Sequence, residues 1–168
     1  PQRDAQGEMV AVLGVGLDLS ERVESGRQQT ELMRQFELTT RAAGIGYWSV
    51  AAATGQARWS EQTFLLHGLA PEANALPMKE WLQRFVHPAD RQLVQQRYRA
   101  WVRSGGPNLM QEMRIVRTDG ATRHVLSYAR MEGPRSRCDF YGVLMDVTER
   151  RAAEAALHQA SERAALAT

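Results

Sequence analysis

The sequence predicts an α+β domain: one five-stranded antiparallel sheet with helices on one face and a flanking helix at each end. Three observations carry this prediction. Two short strand patterns precede a run of helical patterns, and three longer strand patterns follow it. An Asp119-Gly120 pair between strand-like runs marks a hairpin. A strand-to-helix unit also occurs twice, as Gly14-Val-Gly-Leu-Asp18-Leu-Ser20-Glu21-Arg22 and as Gly142-Val-Leu-Met-Asp146-Val-Thr148-Glu149-Arg150. The two aspartates stand 128 residues apart.

The repeated unit has a physical reading. Its apolar run suits a strand buried on both faces. The Asp-x-x-Glu spacing suits a capping box, with Asp146 accepting from free amides of the next helix and Glu149 reaching back to the cap. Negative charge there also complements the helix N-terminus. The strand therefore passes into a helix without a loop.

Between the echoes the elements follow in order. From Arg22 to about Leu38 the chain is polar with sparse apolar positions, which predicts a linking helix, although Gly26 opposes it. Residues Gly46 to Ala51 and Gln56 to Trp59 read as strands around a Thr54-Gly55 turn. Ser60 caps a short helix that Gly68 stops. A loop from Pro71 to Pro77 leads to a short helix over Met78–Phe85. Pro88 suits the first turn of a longer helix, with Asp90 in the same electropositive turn. That helix runs to about Arg103 and places Leu93, Val94, Tyr98, Trp101 and Val102 on one face. Leu109–Arg117, Thr122–Met131 and Phe140–Asp146 complete the sheet.

The chain has 168 residues, enough for one ordinary domain with flanking segments and too few for two independent cores. Apolar residues at 43% and charged residues at 24% argue against disorder. The net charge is only +2, and the arginines are spread along the chain among Asp and Glu, which argues against a nucleic-acid partner. Cys138 is the only cysteine, so no internal disulfide can form. The longest apolar stretch, Met9–Leu19, is broken by glycines and Asp18 and is far too short to span a membrane. With no secretory signal pattern, these features predict a cytoplasmic segment without membrane contact.

In order and spacing, several motifs resemble the PAS family, in the branch common among bacterial sensor histidine kinases and diguanylate cyclases. They are Gly46-Tyr47-Trp48, Trp59-Ser60 ahead of Phe64-x-x-His67-Gly68, Phe85-Val-His87-Pro88-Ala-Asp90-Arg91, Glu112-x-Arg114, Asp119-Gly120 and the closing Asp146-Val-Thr148-Glu149-Arg150. The resemblance covers residues 36 to 150. Residues 1–22 resemble the C-terminal end of an upstream PAS repeat, with Asp18, Ser20, Glu21 and Arg22 as its exit junction. The expected organisation is that remnant, a linker helix over 23–38, the PAS domain over 39–147, and a signalling helix over 148–168 that begins a coiled coil.

The resemblance implies a sensory or signal-relay module of a larger signalling protein, with a sensor histidine kinase of a two-component system as the expected parent. A structural dimerisation module, or a module of a diguanylate cyclase or chemoreceptor, is the alternative. It implies that Asp146 and Thr148 hold the exit junction, with Glu149 capping and Arg150 available for pairing. It also implies a homodimer through the flanking helices. Ala153, Leu157, Ala160 and Ala164 offer a short, alanine-rich seam for one. A small-molecule pocket is expected between the sheet and the helices of residues 61–103, with Trp48, Phe64, Leu82, Tyr98 and Leu126 as candidate lining.

Other chemistries fit less well. Haem-binding relatives carry a histidine inside the long helix, and residues 89–103 contain none. Covalent flavin chemistry needs a cysteine in an Asn-Cys-Arg-Phe motif, which is absent. His87 reads as part of a turn, and His67, His124 and His158 lack metal-ligand spacing, with His124 expected to face outward. The four tryptophans read as ordinary packing rather than a ligand cage, and Glu112 and Arg114 as members of cross-strand charge pairs. No nucleophile stands beside a base, no glycine loop suits a phosphate, and no kinase or cyclase motif is present, so no catalysis is expected of this segment.

Overall fold

The structure is a computed structural model, which describes residues 20–71, 73–133 and 138–166. The expected upstream hairpin and strand, together with Asp18, lie outside the described residues. The chain divides into two compact units, residues 1–38 and 39–168.

The first unit contributes most of helix α1 (Ser20–Ala42). Ser20, Glu21 and Arg22 lie in its first turn, and the helix passes through Gly26, where Thr30 Oγ1 donates to the Gly26 carbonyl at 2.8 Å. It runs four residues beyond the expected end and stops where Gly44 adopts φ 66°.

In the second unit, β1 (Ile45–Val50) and β2 (Ala57–Trp59) form a hairpin, followed by α2 (Glu61–His67), α3 (Met78–Arg84) and α4 (Arg91–Ser104). The strands β3 (Asn108–Val116), β4 (Thr122–Glu132) and β5 (Asp139–Asp146) follow, and α5 (Thr148–Leu166) closes the order. The antiparallel sheet runs β2-β1-β5-β4-β3, so the hairpin from the start of the domain pairs with its last strand.

Local chemistry sets several boundaries. Ser60 caps α2 by accepting from the Thr63 amide, and Gly68 ends it in the left-handed region, φ 74°. Asp119 accepts from the Ala121 amide in the tight turn between β3 and β4, where Gly120 has φ 83°. Gly46 sits under α2 so closely that any side chain there would overlap the Thr63 backbone.

Strand alternation divides the sheet into an inner and an outer face. Met113, Ile115, Val125 and Leu144 point inward and pack with Leu66, Trp81, Leu82, Phe85, Val86 and Val94 of the helical layer. Phe85, Val86, Ile115 and Val125 are at most 1% exposed, so this is where the packing is densest.

Three helical expectations need correction. Pro88 lies in the turn before α4, which begins at Arg91. Asp90 makes no capping bond there, because its carboxylate turns away to Arg114. Leu93 and Val102 are 49% and 41% exposed, because the buried stripe of α4 is the narrow Val94–Trp101 line.

Candidate ligand cavity and exit junction

A cavity of about 520 Å³ lies between the inner sheet face and α3–α4. Its size falls within the range of small-molecule sites, roughly 300–1,000 Å³. Trp48, Trp59 and Trp81 supply aromatic walls, with Tyr98 from α4. Trp48 lies across β5 only because residue 142 is glycine; a Cβ there would overlap the indole and the Tyr128 carbonyl oxygen. Three of the four tryptophans thus face one cavity, whereas Trp101 is buried against Tyr98 and Phe140. The expected core packing holds as well: Trp81 belongs to the buried cluster, and Trp48 and Trp59 pack against it.

Of the five candidate lining residues, Trp48, Leu82 and Tyr98 line this cavity, and Phe64 and Leu126 do not. Phe64 is buried behind Trp59, with ring centroids 5.3 Å apart. Leu126 is one residue out of phase: Val125, Ser127 and Ala129 point inward, which sends Leu126 to the outer face. His124 shares that outer parity. Burial pushes the Tyr98 phenol up, so it stays neutral across the physiological range.

The wall formed by Trp81 is held by a histidine whose position in the sequence gave no sign of it. His67 is completely buried. Its Nδ1 lies 2.7 Å from the Thr63 carbonyl, and its Nε2 accepts from Trp81 Nε1 at 2.8 Å. These partners demand the neutral Nδ1–H tautomer. The ring stacks on Trp59 and meets the edge of Phe85. Burial lowers the His67 pKa to about 4, although the Thr63 bond acts in the opposite direction. The signal within reach of sequence was helical spacing alone: Thr63 and His67 are four apart on α2.

The turn ahead of α4 is tied to β3. His87 donates its amide to the Arg114 carbonyl at 2.9 Å, and its Nδ1 accepts from the Ala89 amide at 3.3 Å, which makes it a turn residue. Asp90 receives the Arg114 amide at 2.9 Å and the guanidinium at 3.0 and 2.5 Å. The Arg114 hydrogen bonds hold the Asp90 carboxyl down at a pKa of about 2.

On the same β3–β4 rung, where His124 stands opposite Arg114, the chain leaves through α5. The Val147 amide donates to the His124 carbonyl at 2.8 Å, and Thr148 Oγ1 accepts from the His124 amide at 2.9 Å. Asp146 accepts from the Thr148 amide at 2.9 Å and lies 3.9 Å from Arg123. Among the described residues Glu149 makes no return bond to Asp146; Thr148 instead reaches across to β4. Arg150 pairs with Glu112 at 3.3 Å and with Glu154, and Arg151 pairs with Glu112 at 2.6 Å. Glu112 and Arg114 therefore bind helical segments instead of a neighbouring strand. They share the outer parity of β3, while Gln111, next to Glu112, points into the cavity.

Among the described residues, no three His, Cys, Asp or Glu side chains converge as metal ligands. None of the helices there is long and apolar enough to cross a membrane. Cys138 Sγ lies 3.5 Å from the Gly133 carbonyl.

Comparison with known proteins agrees with this architecture. The chain is 29% identical over 150 residues to the "Probable diguanylate cyclase DgcE" of Escherichia coli (strain K12), which covers 87% of this chain but only 13% of that protein. A sensory box histidine kinase/response regulator structure from Burkholderia thailandensis E264 superposes with TM-score 0.63 at 22% identity, covering 77% of this chain and 96% of that one. The N-terminal domain of a diguanylate cyclase with PAS/PAC sensor from Marinobacter aquaeolei gives TM-score 0.56 at 16% identity, covering 64% and 98%. The family described as "PAS fold" matches residues 56–143, from the second strand to the last. The chain therefore belongs to the PAS fold family.

Proposed function

We propose that this segment is a non-catalytic sensory and relay module of a larger cytoplasmic signalling protein. A small molecule bound in the cavity shifts the β3–β4 rungs, and the shift leaves through α5. One observation carries the reading: Gln111 faces the cavity, and its neighbour Glu112 grips Arg150 and Arg151 at the start of the exit helix. Consecutive residues of a strand point to opposite faces, so a push on one side of β3 displaces the other. The exposed Ala153 and Leu157 of α5 fit pairing with a second copy, giving a dimer through which the displacement is passed on.

The expected output is a sensor histidine kinase. The diguanylate cyclase relative supports a second reading, cyclase output. Two experiments test the proposal. Native mass spectrometry of the purified chain should show a co-purified small molecule. In the full-length protein, Glu112→Ala and Asp146→Ala should change regulated output while leaving the domain folded by circular dichroism. Unchanged regulation in both variants would reduce the segment to a structural dimerisation module.

A further inference from the structure

We infer that the cavity is built for an aromatic carboxylate bearing a ring N–H or O–H; this rests on the sensory reading above. The first observation is an orphan acceptor. Gln111 is 8% exposed, and its Oε1 is buried with no hydrogen-bond partner. An unpaired buried amide oxygen costs free energy, and a ligand donor at that point would recover it. Gln111 stands opposite Ser127 in the β3–β4 register, and both belong to the cavity wall. The inner end of the site therefore asks for a polar hydrogen on an otherwise apolar ligand.

The second observation is the shape and chemistry of the walls. Trp48, Trp59 and Trp81 line the space above this floor. The Trp81 indole cannot swing, because its N–H is held by His67. Fixed aromatic planes favour a flat, π-rich ligand by offset or edge contacts.

The third observation is charge. Among the described residues, the lining includes Lys79 on α3 and Arg99 on α4 and no Asp or Glu. Both cationic residues are exposed, and neither has an ion-pair partner among the described residues. Two cations on the solvent-facing side attract an anion and repel an amine. A carboxylate at that side and a donor at the floor set both ends of the ligand.

The test is isothermal titration calorimetry of the intact chain with four probes. They are indole-3-acetate, 1-naphthaleneacetate (no N–H), 3-methylindole (no carboxylate) and tryptamine (a cation). Indole-3-acetate should bind about tenfold more tightly than each of the others, the worth of one buried hydrogen bond or one charge contact. Gln111→Leu should bring indole-3-acetate and 1-naphthaleneacetate to the same affinity. The rim double variant Lys79→Gln/Arg99→Gln, whose exposed sites leave the fold intact, should weaken both carboxylates about fivefold and leave 3-methylindole unchanged. Equal binding of 3-methylindole or tryptamine would overturn the ligand class while leaving a ligand-binding cavity in place. No binding of any probe would also overturn it. In that case a co-purified non-aromatic molecule would preserve the sensory reading, and an empty protein would remove that too.

Discussion

The inner face of the sheet has two halves that are built differently from the same two strands. Toward the β3–β4 turn, Met113, Ile115 and Val125 meet Phe85 and Val86 in a packed layer. Toward the far ends, Leu109, Gln111, Ser127 and Ala129 face open space. Two buried polar side chains differ in the same way. His67 has both ring nitrogens paired, whereas Gln111 has an orphan oxygen. The packed half also carries the exit: His124, beside Val125, holds Val147 and Thr148. One half is a rigid anchor for α5, and the other is available for a ligand. A sensor needs both, because a displacement is transmitted only by parts that do not absorb it.

The sharpest way to break this contrast is to make equivalent cuts in the two halves. Ile115→Ala should destabilise the domain by about 2–5 kcal/mol in urea unfolding, and Ser127→Ala by less than about 1 kcal/mol. Similar costs at the two positions would mean that the halves are not distinct.

His67→Phe tests the satisfied polar centre of the anchor. It keeps a ring but leaves the buried Trp81 N–H without its acceptor, at a cost of about 1–3 kcal/mol. The wild-type chain should also carry a pH signature. His67 is held neutral in the fold with a pKa of about 4, against an ordinary value of 6.5. The unfolded chain takes the proton first, so stability falls as pH drops from 6.5 toward 4 and levels off below. The loss is up to about 3 kcal/mol, and it should vanish in His67→Phe. A flat stability profile over that window would count against a buried neutral imidazole.

Asp90→Asn should have a smaller effect, since the Arg114 pair is partly open to solvent. The Asp90 carboxyl is held below its ordinary value, so its contribution is full above pH 4 and is lost as pH falls toward 2. The variant should lower the urea midpoint at pH 7 and remove that acid-side loss. The smallest expected change in stability is at Glu112. Glu112→Gln should cost under about 1 kcal/mol, as surface ion pairs do, yet speed amide exchange in the first turn of α5. Unchanged exchange there would separate β3 from the exit helix.

What could be read before folding was local. The Ser60 cap, the Gly68 stop, the Asp119-Gly120 turn and the Asp146–Thr148 bond each depend on partners within a few residues, so spacing alone reveals them. The order of strands and helices followed from the same short-range signals. The pocket was only half legible. Phe64 and Leu126 have the right chemistry, but helix rotation and strand phase, set by packing of the whole layer, decide which way a side chain points. Asp90 with Arg114 is 24 residues apart and His67 with Trp81 is 14 apart, and nothing local distinguishes them from surface charges or loose aromatics. Local sequence was enough for the elements, their caps and the direct passage from strand to helix, because hydrogen bonds over two to four residues need no distant partner. Which half of the sheet is filled, which histidine is buried neutral and which glutamine lacks a partner emerge only with the packing of distant segments. Those outcomes depend on desolvation, and desolvation is fixed by neighbours that the chain brings together only when it folds.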